Sequence, residues 1–168
     1  MIIRFTQPSL GSVQRRINGQ TVYCLHRTAE GKTMFLPSWW RAITREASNV
    51  LNIYQAEVLR IRWDPEVSGD VTKYRRYVGT RKKGRARFAL HEAFDAGSRL
   101  TARCLVPSSI CLDMFQRILD LAGRYYGISA YRPGQYGTFE VLNVAPISSI
   151  CSAVPNMPVQ EPDHGSRR

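Results

Sequence analysis

The sequence predicts an α+β fold in which helices pack on one face of a largely antiparallel sheet. Short runs with alternating apolar residues, typical of half-buried strands, recur along the chain. Asn18-Gly19 separates two such runs, and this dipeptide favours a hairpin turn because both residues tolerate positive φ. Two longer segments space their apolar residues as one face of a helix, and predicted strands flank the second. Hairpins interspersed with helices indicate the α+β class.

The N-terminal part of the chain predicts a small antiparallel meander. Residues 1–5 form an apolar run that indicates a first strand. The turn at Asn18-Gly19 joins predicted strands at 13–18 and 21–27, and residues 33–36 return as a further short strand.

Two amphipathic helices are predicted. The first covers residues 39–51 with Ser38 as its N-cap, and Trp39 and Trp40 cannot both point into the core because they are adjacent. One is expected in the core and the other partly exposed, with a stacking platform for a base as the alternative. The second covers residues 110–123 behind Ser108 or Ser109. Its apolar stripe and its end carry Ile110, Met114, Phe115, Ile118, Leu119, Ala122 and Gly123.

Further strands are predicted between and after the helices. Alternation at 56–63 predicts a half-buried strand with a basic outer face, and 71–78 and 98–106 are also strand-like. Residues 91–97 are predicted as a short linker or turn, and 138–144 as the last strand. Gly123 either stops the second helix or lies inside a helix that continues to Tyr126.

Length and charge bound the domain organisation and the partner. The chain has 168 residues and a net charge of +11, which makes an anionic partner the first expectation. Nucleic acid is the leading anion and a membrane surface is second. Residues 1–145 are predicted to form a single α+β domain, and 146–168, rich in proline, an extended or disordered tail. The alternative is an arm that pairs with a neighbouring subunit in an oligomer.

The charge is concentrated between residues 73 and 87, where Tyr74, Tyr77 and Phe88 interleave with or adjoin the basic residues. Lysines and arginines neutralise phosphates and aromatic rings stack on bases, so this pattern indicates a nucleic-acid surface. Residues 79–84 are predicted as an exposed, mobile loop or hairpin tip. A second loop, at 127–137, combines glycines with Arg132, which can reach a phosphate. The predicted nucleic-acid-binding residues are Lys73, Tyr74, Arg75, Arg76, Arg81, Lys82, Lys83, Arg85, Arg87, Arg124 and Arg132.

The sequence predicts no cofactor, no metal site and no catalytic residue. The four cysteines form no CxxC pair, which indicates free thiols in a reducing compartment. No signal peptide and no run of about eighteen apolar residues occurs, so we expect a cytoplasmic protein that does not span a membrane. A metal-independent ribonuclease stays as a third hypothesis. It would use His26 or His91 with Tyr125, Tyr126 or Lys83.

The C-terminal part of the predicted domain resembles a group of uncharacterised bacteriophage proteins. The shared pattern is AGxxxGI followed by RPxxYGxFxV, which occurs here at Ala122-Gly123, Gly127-Ile128, Arg132-Pro133, Tyr136-Gly137, Phe139 and Val141. The arrangement is more distantly similar to the RAMP superfamily, the guide-RNA-binding subunits of CRISPR effector complexes. Together the resemblances span residues 33–145. They imply a ferredoxin-like or RRM-like antiparallel sheet with two main helices.

This resemblance implies an RNA-contacting loop after the last helix but no chemistry. Ser129 stands where such loops often have a glycine, and Thr138 where arginine is common, which weakens a phosphate-binding role at those two positions. The leading hypothesis is a nonenzymatic, phage-encoded protein that binds single-stranded DNA or RNA in the host cytoplasm. The alternative is a structural or interaction protein, such as an oligomer or virion subunit or an inhibitor of a host nucleic-acid complex.

Overall fold

A computed structural model describes residues 1–80, 86–131 and 135–147, which form an α+β fold with mainly antiparallel pairing. The strands are β1 (Ile2–Phe5), β2 (Ser9–Leu10), β3 (Val13–Ile17), β4 (Gln20–Cys24), β5 (His26–Arg27), β6 (Thr33–Met34), β7 (Arg62–Trp63), β8 (Thr72–Thr80), β9 (Ala86–Phe94), β10 (Arg99–Thr101), β11 (Cys104–Leu105) and β12 (Phe139–Asn143). The helices are α1 (Pro37–Val50), α2 (Gln55–Leu59) and α3 (Leu112–Leu121), and a π-helical turn (Ala122–Tyr126) continues α3. The predicted α+β class is confirmed.

The first strand is the centre of one sheet. β1 pairs antiparallel with β10 on one edge and with β12 on the other. β7 pairs antiparallel with β11, which follows β10 closely along the chain. An isolated bridge joins Ser68 to Thr101, while Thr101 also lies opposite Ile2 of β1. The segment that begins with β7 therefore lies on the side of β10 and β11 that faces away from β1.

A second sheet contains the long hairpin β8–β9. β2 and β4 both pair with one edge of β9, and β8 pairs with the opposite edge. β3 pairs with the free side of β4. β4 joins β9 by a short parallel ladder, through Val22 opposite Leu90 and Tyr23 opposite His91. The predicted turn between β3 and β4 is confirmed, since Asn18 has φ 49°. The strand predicted at 33–36 is β6, which pairs with β5 in a separate two-stranded sheet.

Aromatic side chains form the centre of the core between the β1 sheet and the helices. Trp40 of α1 is fully buried and stacks on Trp63 of β7, with ring centroids 4.4 Å apart and an interplanar angle of 8°. Phe139 of β12 packs edge-on against Trp40, with ring centroids 6.2 Å apart. Trp39 is half-buried beside Phe35. The expectation that only one of the two adjacent tryptophans enters the core is confirmed.

The strand predicted at 56–63 is wrong over most of its length. Residues 55–59 form α2, and only Arg62 and Trp63 are extended. A strand would have placed Leu59 on the same face as Ile61 and Trp63, yet Leu59 is 46% exposed. Val58 and Ile61 are buried instead, and their spacing of three residues is helical.

The linker predicted at 91–97 is also wrong in its first half, because His91 to Phe94 complete β9. The two polar residues there have internal partners. His91 bonds to a backbone carbonyl and Glu92 forms a salt bridge with Arg27 at 2.9 Å. The strand predicted at 98–106 is interrupted between β10 and β11.

Neither predicted serine cap holds its helix. Leu36 occupies the N-cap of α1, with Pro37 in the first turn, and Cys111 occupies that of α3. Ser109 donates its hydroxyl to Glu57 of α2 at 2.5 Å instead. Val50, the last residue of α1, is 60% exposed.

The π-helical turn after α3 packs closely against β12. Gly123 does not stop the helix, which continues through the π-helical turn to Tyr126, one of the two outcomes that the sequence left open. A Cβ atom at Gly123 would lie 2.3 Å from the carbonyl oxygen of Phe139, well inside van der Waals contact. A glycine is therefore required for the helix and the strand to pack together.

We expect Gly123→Ala to destabilise the fold by roughly 1–3 kcal/mol, the usual cost of overpacking a tight interior. Urea denaturation measures this change. Gln116→Ala is the control, because Gln116 is exposed on α3 and alanine is the best helix former. Equal stability of the Gly123→Ala variant and the unchanged protein would show that the helix and β12 can separate at little cost.

Candidate nucleic-acid interface

The hairpin β8–β9 presents two chemically different faces. Antiparallel partners share a face and alternate along each strand, so register assigns the side chains. Tyr74 lies opposite His91, whereas Arg75 lies opposite Leu90 and Tyr77 opposite Phe88. We call the side with Tyr74, Arg76 and His91 the loop face. The side with Lys73, Arg75, Tyr77 and Phe88 is called the basic-aromatic face.

The basic-aromatic face places cations beside accessible rings. The guanidinium carbon of Arg75 lies 4.8 Å from the ring centroid of Phe88. Tyr77 and Phe88 are 55% and 50% exposed, and their ring centroids are 5.9 Å apart. Lys73 is exposed on the same side. A ring with an accessible surface can stack on a base while the adjacent cations meet its phosphates.

One row of side chains extends this face across the whole sheet. Arg15 of β3 lies opposite Val22 of β4, which lies opposite Leu90 of β9, which lies opposite Arg75 of β8. Three strand spacings separate the two arginines, roughly 14 Å along the row. Arg15 is exposed and is not among the residues predicted to bind nucleic acid. Its only signal was the Arg15-Arg16 pair in a predicted hairpin strand, which does not show which strand would lie alongside.

The loop face is covered by the glycine-containing loop. The guanidinium carbon of Arg76 lies 4.1 Å from the ring centroid of Tyr131. Tyr74 meets Tyr136 edge-on, with centroids 6.2 Å apart. Tyr74 and Arg76 are thus half-buried and pack against the loop. The structure brings the predicted loop and the predicted basic segment together through these two residues.

Hydrogen bonds between serine hydroxyls and the backbone hold this loop against β2. The Ser129 hydroxyl accepts the Leu10 N–H at 3.1 Å, and the Ser9 hydroxyl donates to the carbonyl of Ile128 at 2.5 Å. Gly137 has φ +78°, and a Cβ atom there would lie 2.3 Å from the Ile128 oxygen. Ser129, which departs from the glycine of the resembling loops, is buried and serves as an anchor.

His91 sits beneath this contact as a neutral imidazole. Its Nδ1 lies 2.9 Å from the carbonyl oxygen of Gly11, which only accepts, so Nδ1 carries the proton. Nε2 then accepts the Arg76 Nε–H at 3.4 Å. Burial lowers the pKa of His91 below the usual 6.5, the bond to Gly11 opposes that change, and the charge of Arg76 lowers it further. The ring also stacks on Tyr23, with centroids 4.9 Å apart.

The histidines of the ribonuclease hypothesis have structural surroundings. His91 has no exposed surface. His26 is half-buried against Trp39, with ring centroids 5.5 Å apart, and burial lowers its pKa. Tyr125 is 66% exposed on the π-helical turn, while Lys83 lies outside the described residues. In the described ranges no group of three or more His, Cys, Asp or Glu side chains is placed to hold a metal ion.

The other predicted residues have different positions. Lys73, Arg75 and Arg87 are exposed on the hairpin. Arg124 is exposed on the π-helical turn, where its charge acts on Asp120, one turn earlier on α3. Outside the described residues lie Arg81, Lys82, Lys83, Arg85 and Arg132, together with most of the predicted mobile tip and residues 148–168 of the predicted tail.

Cys24, Cys104 and Cys111 are free thiols, as predicted, and burial raises the pKa of Cys104 to about 11. None of the helices in the described ranges is both long enough and apolar enough to cross a bilayer. No protein-family model matches the sequence, and no curated protein matches it either.

Neutral His91 should stabilise the fold fully above about pH 6.5, and this stabilisation should decrease as the pH falls below that value. The reason is that His91 has a lower pKa in the folded chain, so at acidic pH the unfolded chain binds the proton more readily. Urea denaturation at about pH 7.5 and about pH 5 measures this loss. His91→Gln keeps an amide donor for Gly11 and removes the titration. The variant should lose less stability between the two pH values than the unchanged protein, and an equal loss would assign the acid sensitivity to other groups.

Proposed function

We propose that the protein binds single-stranded DNA or RNA, without enzymatic activity, through the basic-aromatic face of the hairpin β8–β9. The observation that carries the proposal is the arrangement of Arg75, Tyr77 and Phe88. Two half-exposed rings lie side by side, and a guanidinium group lies over one of them. Bases of a single strand are free to stack on such rings, whereas bases in a duplex are already stacked on each other.

Electrostatics support a polyanionic ligand. The chain carries a net charge of +11, and Lys73, Arg75 and Arg15 place cations along the proposed face. Phosphate contacts by such side chains release counterions and dominate affinity for nucleic acids. The loop at 127–137 has a supporting role in this proposal. It covers the opposite face through Tyr131 and Tyr136, so a ligand would meet the basic-aromatic face.

We also propose that the β1 sheet is a ferredoxin-like unit. Because β1 is its first strand, the hairpin β3–β4 lies between β1 and α1 and does not precede the unit. β1 leads to α1 and then to the segment that starts with β7, and β10 and β11 lead to α3 and then to β12. β12, β1 and β10 are neighbours in that order, and the β7 segment flanks β10 and β11. The hairpin β8–β9 is then an insertion between the second and third strands of the unit. The resemblance to phage proteins and to RAMP subunits supports this arrangement.

Phe88→Ala should weaken binding of a labelled single strand by roughly 1–3 kcal/mol, about five- to 150-fold in affinity, if the ring stacks on one base. Fluorescence polarisation with single- and double-stranded DNA and RNA measures the change and identifies the preferred ligand. Tyr54→Ala is the matched control, because Tyr54 is 75% exposed on the short connection between α1 and α2. An equal effect of both substitutions would argue against stacking at Phe88.

Raising the salt concentration from about 50 to about 200 mM should lower the affinity by orders of magnitude if several phosphates are contacted. Arg75→Gln should reduce the slope of log affinity against log salt by about one, whereas removal of an arginine away from the ligand leaves the slope unchanged. Arg124→Gln tests the one described candidate that lies off the hairpin. A salt-independent affinity would contradict the proposal for the whole surface.

The absence of enzymatic activity is tested with the double variant His26→Gln/His91→Gln. We expect no cleavage of single-stranded RNA by the unchanged protein in the absence of metal ions. Cleavage that disappears in the folded double variant would instead establish the ribonuclease hypothesis. A cooperative urea transition of the variant confirms that it is folded.

A further inference from the structure

A second cationic surface lies away from the hairpin. It is an open groove of about 370 Å³ between α1, α2 and the strands β7 and β11. Three guanidinium groups line it, from Arg41 on α1, Arg60 just after α2 and Arg62 on β7. No carboxylate is among its lining residues in the described part of the chain. We call it the arginine groove.

The charges of the arginine groove are largely uncompensated. Within the described ranges, Arg41 and Arg62 form no salt bridge, and both are exposed. Arg60 reaches Glu57 only at 3.4 Å. That carboxylate already accepts the Ser109 hydroxyl at 2.5 Å, the first cause of its lowered pKa. Two of the three cations, Arg41 and Arg62, thus have no carboxylate partner in the described part of the chain, and this favours an external anion.

The walls of the groove are aliphatic. Leu105 is 70% exposed and Leu59 is 46% exposed, and Val106 and Pro107 complete this side. No aromatic ring lines the groove in the described structure, in contrast to the basic-aromatic face. A nucleic acid would gain phosphate contacts here but no stacking, and the leucine side chains would stay uncovered. A ligand with an aliphatic side chain next to carboxylates would both pair with the arginines and cover the leucines.

We propose that the arginine groove docks an acidic segment of a partner protein that carries an aliphatic residue among its carboxylates. The carboxylates pair with Arg41 and Arg62, and the aliphatic side chain covers Leu59 and Leu105. Charge complementarity sets the class of partner, and the exposed leucines set the need for an apolar residue. None of these residues belongs to β8 or β9, so the protein can hold this partner and a nucleic acid at the same time.

The test uses a short fluorescein-labelled peptide in which Glu alternates with Leu, and a second peptide in which Gly replaces every Leu. The full-length protein should bind the first peptide more tightly than the second. Arg41→Gln/Arg62→Gln should weaken binding of the first peptide about fivefold, as expected for the loss of two exposed ion pairs. Leu105→Ser should weaken binding of the Leu peptide and leave the Gly peptide unaffected.

Two controls match these variants. Arg45→Gln changes an exposed arginine one turn further along α1, outside the groove, and Leu142→Ser changes an exposed leucine on β12. Both should leave peptide binding unchanged, and the groove variants should leave single-strand affinity unchanged. Equal binding of the two peptides, or a double variant that loses affinity for the oligonucleotide and not for the peptide, would overturn the proposal. Light scattering that shows self-association through the groove would also overturn it.

Discussion

The hydrogen bond from His91 Nδ1 to the Gly11 carbonyl is the interaction on which the two faces of the hairpin β8–β9 depend. It fixes the tautomer, so Nε2 accepts from Arg76. Arg76 is thereby held against Tyr131, and the loop covers one face of the hairpin. A Cβ atom on Gly11 would lie 2.3 Å from the carbonyl carbon of Cys24, so the end of β4 approaches this point closely. Through these contacts one buried imidazole holds Arg76 in a half-buried position, whereas Arg75 stays exposed on the other face.

The sequence predicted elements whose signals are local. The turn at Asn18-Gly19, the core position of one tryptophan and the basic strand at 71–78 depend on neighbouring residues only. The errors at 56–63 and 91–97 have a different origin. The apolar residues at 56–63 also fit one helical turn. His91 is a polar residue whose buried hydrogen-bond partner, the Gly11 carbonyl, comes from a distant segment. Tertiary contacts decide such segments, and a single sequence does not contain them.

The candidate site was predicted only by region for the same reason. Charge and aromatic content located the hairpin, but they did not separate Arg75, which lies beside Phe88, from Arg76, which supports Tyr131. Adjacent strand residues point to opposite faces of the sheet. The loop covers the face that carries Arg76 and leaves Arg75 on the other face. Arginines on this protein thus differ by their neighbours. Rings beside Arg75 suit bases, whereas leucines beside Arg62 suit an aliphatic chain.

The central position of β1 has a consequence for biosynthesis. Both of its partners, β10 and β12, follow roughly a hundred or more residues later in the chain. On the ribosome, the β1 sheet is therefore complete only after β12 has been translated, near the end of the described chain. Hairpins such as β3–β4, in contrast, form from contacts between neighbouring segments. Closure of the β1 sheet is a late, long-range event. β1 is therefore translated long before it can complete its pairing.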